Sequence, residues 1–186
     1  MKNIAILFLL LFSYPSNGDN ISGSNEDWAG WASGDKRPFE NAEFRKAEKG
    51  FGSMLVLEND PDFFKKWNVA SATFRYKMLR KVNKGEYFVV AIIFVNPGVD
   101  GAGNTNITYD VKITKPDGTI YTRIPNLVVW NRKPPKRNTL GLSEGFLKIK
   151  MAPEDLAGNY EVEAIVNDKL KNVKLELSSR YKVEER

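Results

Sequence analysis

The sequence contains neither cysteine nor histidine. Without cysteine the chain has no disulfide, no thiol nucleophile and no site for a lipid-modified cysteine. Without histidine it lacks the side chain that most often acts as a general base at neutral pH, and a Ser-His-Asp triad is excluded. A zinc site would lose both of its preferred ligands. The catalytic chemistries that survive use carboxylates, as in a glycosidase, or a serine–lysine pair.

Long apolar runs are scarce, and the longest lies near the start of the chain. "IAILFLLLF" at 4–12 follows Lys2 and precedes "SYPSNG", which has small residues at Ser16 and Gly18. The run is shorter than the roughly 20 residues of a membrane-spanning helix, and this order of features is typical of a secretory signal peptide. We therefore predict a signal peptide over 1–18, no transmembrane segment, and an exported protein that is periplasmic or secreted.

The composition is that of an ordinary globular protein. Removal of 18 of the 186 residues leaves 168, a length that can bury a sufficient core without disulfides. Aromatic residues make up 12% and charged residues of both signs 27%, which excludes a disordered chain. The net charge of +5 becomes +4 without Lys2. This excess favours anionic surfaces slightly and does not by itself indicate nucleic acid or a membrane.

Runs with strand periodicity dominate the chain from residue 71 onward. "ITYDVKIT" alternates apolar and polar residues, whereas "EYFVVAIIFV" is apolar at nearly every position, as expected of a central strand covered on both faces. Turn signals such as "NKG" and "KPDG" separate the runs, and Pro125 indicates an edge or a bend. The predicted strands include 71–82, 86–95, 107–114, 119–130, 146–151 and 172–183. Such a series indicates antiparallel sheets packed as a sandwich or closed as a barrel.

Residues 19–70 are predicted to be an irregular N-terminal extension that packs on the sheets. Its first part is rich in Gly, Ser, Asn and Asp and contains Trp28 and Trp31. The elements expected after it are a short helix at 40–49, a strand at 53–58 and one helical turn at 60–68. The strand-rich region over 71–186 is then one domain.

The segment "MAPEDLAGNYEVEAIVND" at 151–168 resembles the tyrosine corner of immunoglobulin-like domains. Gly158, Tyr160 and Val162 fit that motif, and Asp155 precedes the tyrosine by one residue more than in antibodies. Together with "YDVKITKPDG" and "VKLELSSRYKV", the segment is similar to immunoglobulin-like and macroglobulin-like domains of exported bacterial proteins. The resemblance implies an all-β, immunoglobulin-like antiparallel β-sandwich. Val162 takes the place of a core cysteine, so the resemblance implies a core held by apolar packing alone.

The basic loop "WNRKPPKRN" at 130–138 is the most unusual candidate for a binding site. Four cations, Arg132, Lys133, Lys136 and Arg137, surround two prolines and follow Trp130. The prolines favour an extended loop that presents the cations to an anionic partner, such as a phosphorylated glycan, lipid headgroups, nucleic acid or an acidic protein. The alternative is a solubilising loop whose tryptophan fills the core. Further outward cations are expected at Arg75, Lys77, Lys148 and Lys150.

Three other groups of residues each have a functional and a structural interpretation. Trp28 and Trp31 have the chemistry to stack on sugars, but an arm that buries both explains them as well. "VDGAGNTN" at 99–106 weakly resembles a calcium loop, although a glycine-rich connection accounts for the same residues. Two sets of carboxylates are candidates for catalysis, namely Glu154 with Asp155, and Asp110 with Glu161 and Glu163. Glu161 and Glu163 are expected instead to form cross-strand ion pairs.

The sequence therefore predicts an exported, non-enzymatic binding or structural module without a metal or cofactor. Its partner is expected to be another envelope protein, an anionic surface or a glycan, and not nucleic acid. The alternative is a carbohydrate-binding or carbohydrate-active protein that uses tryptophans and carboxylates.

Overall fold

The computed structural model describes residues 41–69, 78–137 and 139–185. The predictions for the signal peptide, for Trp28 and Trp31, and for Arg75 and Lys77 lie outside these residues. The elements are β1 (Arg45–Glu48), β2 (Phe51–Glu58), α1 (Phe63–Val69), β3 (Lys81–Asn83), β4 (Tyr87–Val95), β5 (Ile107–Thr114), β6 (Ile120–Trp130), β7 (Gly141–Leu142), β8 (Leu147–Lys150), β9 (Gly158–Asp168) and β10 (Val173–Glu184).

The strands form two five-stranded sheets. One sheet has the order β3-β10-β9-β5-β6; in the other, β1-β2-β4 is followed by β7 and β8, which both pair with β4. All pairings are antiparallel except that of β3 with β10. The order β10-β9-β5-β6 matches strands G, F, C and C′ of an immunoglobulin variable domain, and β2-β4-β8 matches A, B and E. The fold is an immunoglobulin-like β-sandwich, as predicted.

The core lies between the sheets and is built by alternation along each strand. On β9, Tyr160, Val162, Ala164 and Val166 are buried, while the residues between them are half-buried or exposed. Because successive side chains of a strand point to opposite faces, one register shift would turn this apolar set outward. The pattern in the sequence therefore fixes which face of β9 meets the other sheet.

Strand β4 is covered on both faces, as its continuous apolar sequence predicted. Phe88, Val90, Ile92 and Phe94 belong to the core between the sheets. The opposite face of β4 belongs to a second apolar cluster that also contains Phe63 of α1. In that cluster the rings of Phe64 and Phe146 lie 4.5 Å apart. Helix α1 thus adds a third layer over one sheet.

Two expectations for the first half of the chain need correction. The described part of the helix expected at 40–49, residues 41–49, is not helical. Arg45–Glu48 is strand β1, which pairs with β2 through a tight turn at Lys49 and Gly50, both with positive φ. The apolar β2 offers β1 a hydrogen-bonding edge, and this pairing outweighs the weak helical preference of the segment. The strand β2 of the expected extension is also part of the sandwich, because it pairs with β4.

The strand predicted at 71–82 is short in its described part, and the predicted edge position of Pro125 is confirmed. Of the strand expected at 71–82, the described part forms only β3, Lys81–Asn83, which runs parallel to β10. Pro125 lies in β6, the edge strand of its sheet, beside Asn126 with φ 56° and a register irregularity against β5. A proline donates no hydrogen bond to a ladder, so an edge strand is where it is tolerated.

Candidate functional site

Trp130 ends strand β6 and belongs to the core. Its side chain is 5% exposed, and its ring centroid lies 5.5 Å from that of Phe94. The indole N–H donates to the carbonyl of Lys133 at 2.8 Å, which ties the start of the loop back to the strand. This corrects the assignment of Trp130 as a binding residue, because a buried ring offers no surface to a partner. The interpretation of a tryptophan that fills the core fits instead.

Arg132 is also held by the protein. Its guanidinium carbon lies 4.4 Å from the centroid of the Trp130 ring, and its Nε is 2.6 Å from Oε1 of Glu144. The Glu144 side chain is only 17% exposed, so this ion pair is less screened than a surface pair. Arg132 therefore anchors the loop to the sandwich and is not one of its free cations.

Lys133, Lys136 and Arg137 are the outward cations of the loop. All three are exposed, and no side-chain ion pair joins them to any residue of the described chain. Pro135 is buried between them, so the backbone is fixed while the charged side chains extend into solvent. A backbone hydrogen bond from Thr139 to the carbonyl of Lys136 closes the last turn at 3.0 Å.

The loop at 96–106 packs against the basic loop. The hydroxyl of Thr105 donates to the carbonyl of Trp130 at 2.9 Å, and its backbone N–H donates to the carbonyl of Arg132 at 3.1 Å. In the same loop, the N–H of Gly98 donates to Oδ2 of buried Asp168 at 2.7 Å. The β4–β5 connection is thereby held between the basic loop and the end of β9.

Two further turns complete this end of the sandwich. The Lys169 N–H donates to the carbonyl of Asn106 at 3.0 Å, which joins the β9–β10 turn to the loop at 96–106. Lys171 Nζ donates to the carbonyl of Lys49 at 2.9 Å, and Lys49 Nζ donates to the carbonyl of Asn172 at 3.3 Å. These bonds hold the β1–β2 turn against the β9–β10 turn, at the same end of the sandwich.

We call these four contacting segments the cationic end. It consists of residues 49–50, 96–106, 131–137 and 169–172. Its basic residues are Lys49, Arg132, Lys133, Lys136, Arg137, Lys169 and Lys171. Its acidic residue is Asp100, whose Oδ1 accepts the N–H groups of Ala102 and Asn104, both at 2.9 Å. Three acidic residues adjoin these segments: Glu48, 3.7 Å from Lys49; Glu144, which pairs with Arg132; and buried Asp168, which accepts the N–H groups of Gly98 and Leu170. Seven basic residues against these three and Asp100 still give this end a positive potential.

The turns at the opposite end of the sandwich carry a net negative charge. Residues 83–86, 115–119 and 151–157 contain two lysines and four acidic residues. They lie together, since a Cβ added to Gly158 would be 2.9 Å from Pro116 and Tyr121 donates to Asp155 at 3.1 Å. The positive charge of the protein is therefore concentrated at one end of the sandwich.

Lys148 and Lys150 do not belong to the cationic end. Lys150 pairs with Tyr87 of β4, whereas Gly141, which closely follows the basic loop in the sequence, pairs with Phe94. Phe94 lies seven residues, or about 23 Å, from Tyr87 along this strand. Both lysines instead flank the exposed Tyr87, with their Nζ atoms 5.0 and 5.3 Å from the ring centroid. They are a natural control for mutations in the basic loop.

The four residues of the tyrosine corner have structural roles. The hydroxyl of Tyr160 donates to the carbonyl of Leu156 at 3.0 Å, and burial, followed by the nearby Asp155 carboxylate, raises the pKa of Tyr160 to about 12. Asp155 also accepts the N–H of Ala152 at 2.6 Å. Gly158 has φ 131°, which disfavours any side chain, and Val162 is fully buried. The corner joins the β8–β9 turn to the core.

The carboxylates of Asp110, Glu161 and Glu163 are engaged by neighbouring groups. Glu163 pairs with Lys112 on β5, and Glu161 pairs with Arg180 on β10 at 2.9 Å, as expected of cross-strand pairs. Asp110 accepts the N–H of Asn126 at 2.8 Å. Within residues 41–69, 78–137 and 139–185, no three acidic side chains cluster as potential metal ligands. Helix α1, in the same ranges, is too short to cross a membrane, and no described helix is long and apolar enough to do so.

Comparison with known proteins assigns the chain to no family. No protein-family model matches the chain, and no curated protein matches its sequence. Among solved structures, the chain is similar to a family 123 glycoside hydrolase from Clostridium perfringens, at 10% identity and a TM-score of 0.42, over 72% of this chain and 27% of the hydrolase. It thus spans about a quarter of that enzyme.

Two other solved structures show weaker likenesses. A CARDB domain from Pyrococcus furiosus, solved in complex with di-metal ions, gives 14% identity and a TM-score of 0.36 over 79% of this chain and all of that domain. AvmM, which catalyses macrocyclization in alchivemycin A biosynthesis, gives 8% identity and a TM-score of 0.31 over 78% of this chain and 97% of AvmM. At these values the likenesses carry no argument about what the chain binds or does.

Proposed function

We propose that the chain is an exported, non-catalytic binding module that contacts an anionic partner through its cationic end. The observation that carries the proposal is the charge distribution of the cationic end, where seven basic residues stand against Asp100 and the three adjoining acidic residues Glu48, Glu144 and Asp168. The partner is an envelope component with negative charge: an acidic protein, an anionic surface or a glycan. The absence of histidine and cysteine and the apolar segment at 4–12 support the non-catalytic and exported parts of the proposal.

The position of the loops on the fold also supports binding. The β4–β5, β6–β7 and β9–β10 connections lie at the end of the sandwich where variable domains carry their antigen-binding loops. Loops on a rigid scaffold can present charges in a fixed arrangement without losing much conformational freedom on binding. Here Trp130, Arg132 and Thr105 supply that rigidity, and Lys133, Lys136 and Arg137 supply the exposed charge.

A pair of charge-reversal variants tests the proposal. Lys133→Glu with Lys136→Glu changes the cationic end. Lys148→Glu with Lys150→Glu makes the same change in net charge at strand positions about 16 and 23 Å along β4 from the partner of Gly141. Binding of inorganic polyphosphate is measured by titration at low and at physiological salt. We expect the first variant to bind about tenfold more weakly and the second to stay within about twofold of the wild-type protein.

Both variants are expected to melt at nearly the wild-type temperature, because the exposed lysines of the basic loop make no ion pair with the described chain. Equal loss of binding in the two variants would mean that only net charge matters and would refute a specific cationic end. Loss of folding in the loop variant alone would show that the loop is structural.

A further inference from the structure

Two of the exposed large apolar side chains lie within the cationic end. Val99 is 53% exposed and Leu170 is 43% exposed. They come from different loops that touch, since a Cβ added to Gly98 would lie 2.9 Å from Cβ of Leu170. Val99 directly follows Gly98, so both exposed apolar side chains arise where these two loops meet at the tip of the sandwich.

Cations surround this apolar pair. Lys169 and Lys171 flank Leu170 in the sequence, and Lys171 is hydrogen-bonded to the turn that carries Lys49. The basic loop lies at the same end, because Thr105 of the β4–β5 connection that carries Val99 donates to the carbonyls of Trp130 and Arg132. The tip therefore has an apolar centre and a cationic rim.

We infer that the cationic end docks on the surface of an anionic lipid bilayer. Val99 and Leu170 enter the boundary between headgroups and acyl chains, and the lysines and arginines around them contact lipid phosphates. This inference rests on the proposed function and names the anionic surface. Peripheral proteins bind membranes by this combination of buried apolar area and attraction between basic residues and anionic lipids.

The apolar pair favours a bilayer over a soluble polyanion. A polyanion in water would satisfy the cations equally well, but it offers no apolar phase for Val99 and Leu170. Lysine side chains can also lay their methylene groups along the boundary while their ammonium groups reach the phosphates. Each basic residue near an anionic surface contributes about 1 kcal/mol, which corresponds to about a fivefold change in partition.

The test measures partition of the full chain onto vesicles of phosphatidylcholine containing about one third phosphatidylglycerol. Val99→Ser with Leu170→Ser is expected to reduce partition about tenfold. The matched control is Ile120→Ser with Leu156→Ser at the opposite end, where the exposures are 56% and 43%. The control is expected to stay within about twofold. All variants carry the same residues 1–40, so any difference between them comes from the two ends of the sandwich.

A second measurement reports insertion directly. Because the chain contains no cysteine, Leu170→Cys and Leu156→Cys each give a single thiol for an environment-sensitive fluorophore. We expect a blue shift with anionic vesicles for the label at 170 and no shift for the label at 156. Pure phosphatidylcholine vesicles should leave both labels unchanged, because the cations then have no net negative surface to bind.

The outcomes separate this inference from the proposed function. Equal vesicle binding by the wild-type chain and by Val99→Ser with Leu170→Ser would overturn the inference. Binding of polyphosphate without binding of anionic vesicles would overturn it too, but would leave the proposed function standing. Binding of neither probe would refute both.

Discussion

Replacement of Trp130 by alanine should be among the most destabilising single changes near the basic loop. The ring is 5% exposed and packs on Phe94, and the guanidinium of Arg132 lies 4.4 Å from its centroid. Removing a buried tryptophan side chain costs about 3–5 kcal/mol, because its transfer energy is lost and a cavity remains. That is a large share of the roughly 5–15 kcal/mol that stabilises a typical domain.

A conservative variant separates packing from hydrogen bonding. Trp130→Phe keeps an aromatic ring against Phe94 but removes the N–H that donates to Lys133 at 2.8 Å. The carbonyl of exposed Lys133 can turn to water, so we expect a cost of about 1–2 kcal/mol, from one hydrogen bond and the reduced ring size. The difference between the two variants, about 2–3 kcal/mol, then measures ring packing.

Urea unfolding followed by far-ultraviolet circular dichroism measures both variants without relying on tryptophan fluorescence. Lys133→Ala is the control and should change the free energy of unfolding by less than about 0.5 kcal/mol, because its side chain is exposed. A Trp130→Ala variant as stable as this control would refute the assignment of Trp130 to the core. It would also remove the reason for treating the loop as rigid.

Three further predictions concern the core. Tyr160→Phe should cost about 1 kcal/mol in urea unfolding through loss of its hydrogen bond to Leu156; no cost would argue against the corner. Val162→Asp buries a charge in an apolar core and should abolish the folded circular dichroism spectrum, whereas a folded variant would contradict the register of β9. Burial raises the pKa of the hydroxyls of Tyr109, Tyr160 and Tyr181, and that of Tyr160 reaches about 12. The folded state therefore keeps these protons above about pH 10, where the unfolded state releases them. Stability should therefore be complete below about pH 10 and fall as the pH rises toward 12, as urea midpoints across this range would show; a flat profile would contradict the burial of these rings.

The sandwich could be predicted from the sequence because its main signals are local. Alternation in β5 and β9, the uninterrupted apolar run of β4 and the residues around Tyr160 each depend on positions only a few residues apart. The helix expected at 40–49 was wrong because residues 45–48 pair with β2, whose position beside β4 is set by contacts outside the segment. The parallel pairing of β3 with β10 joins residues about 100 apart in the sequence and has no local signal.

The candidate site was only partly predictable for a similar reason. The sequence identified the cations at 132–137, but it did not show that Arg132 is held by Glu144 or that Trp130 is buried. Lys49, Lys169 and Lys171 were missed because they lie far from the basic loop along the chain. For Lys169 and Lys171 a signal was present, because both lie in the turn before the strand predicted at 172–183 and alternate connections of an antiparallel sandwich return to the same end. Lys49 fell within the helix wrongly predicted at 40–49.

The central claim is that the loop end of this sandwich is its binding face. Nuclear magnetic resonance titration of the isotopically labelled protein with lipid nanodiscs containing phosphatidylglycerol tests it most directly. Binding through the cationic end should shift or broaden the backbone amide signals at 98–106, 131–137 and 169–172 and leave those at 115–119 and 151–157 in place. Perturbation of the second set alone, or of exposed residues on both sheets without preference, would show that the protein does not bind through this end.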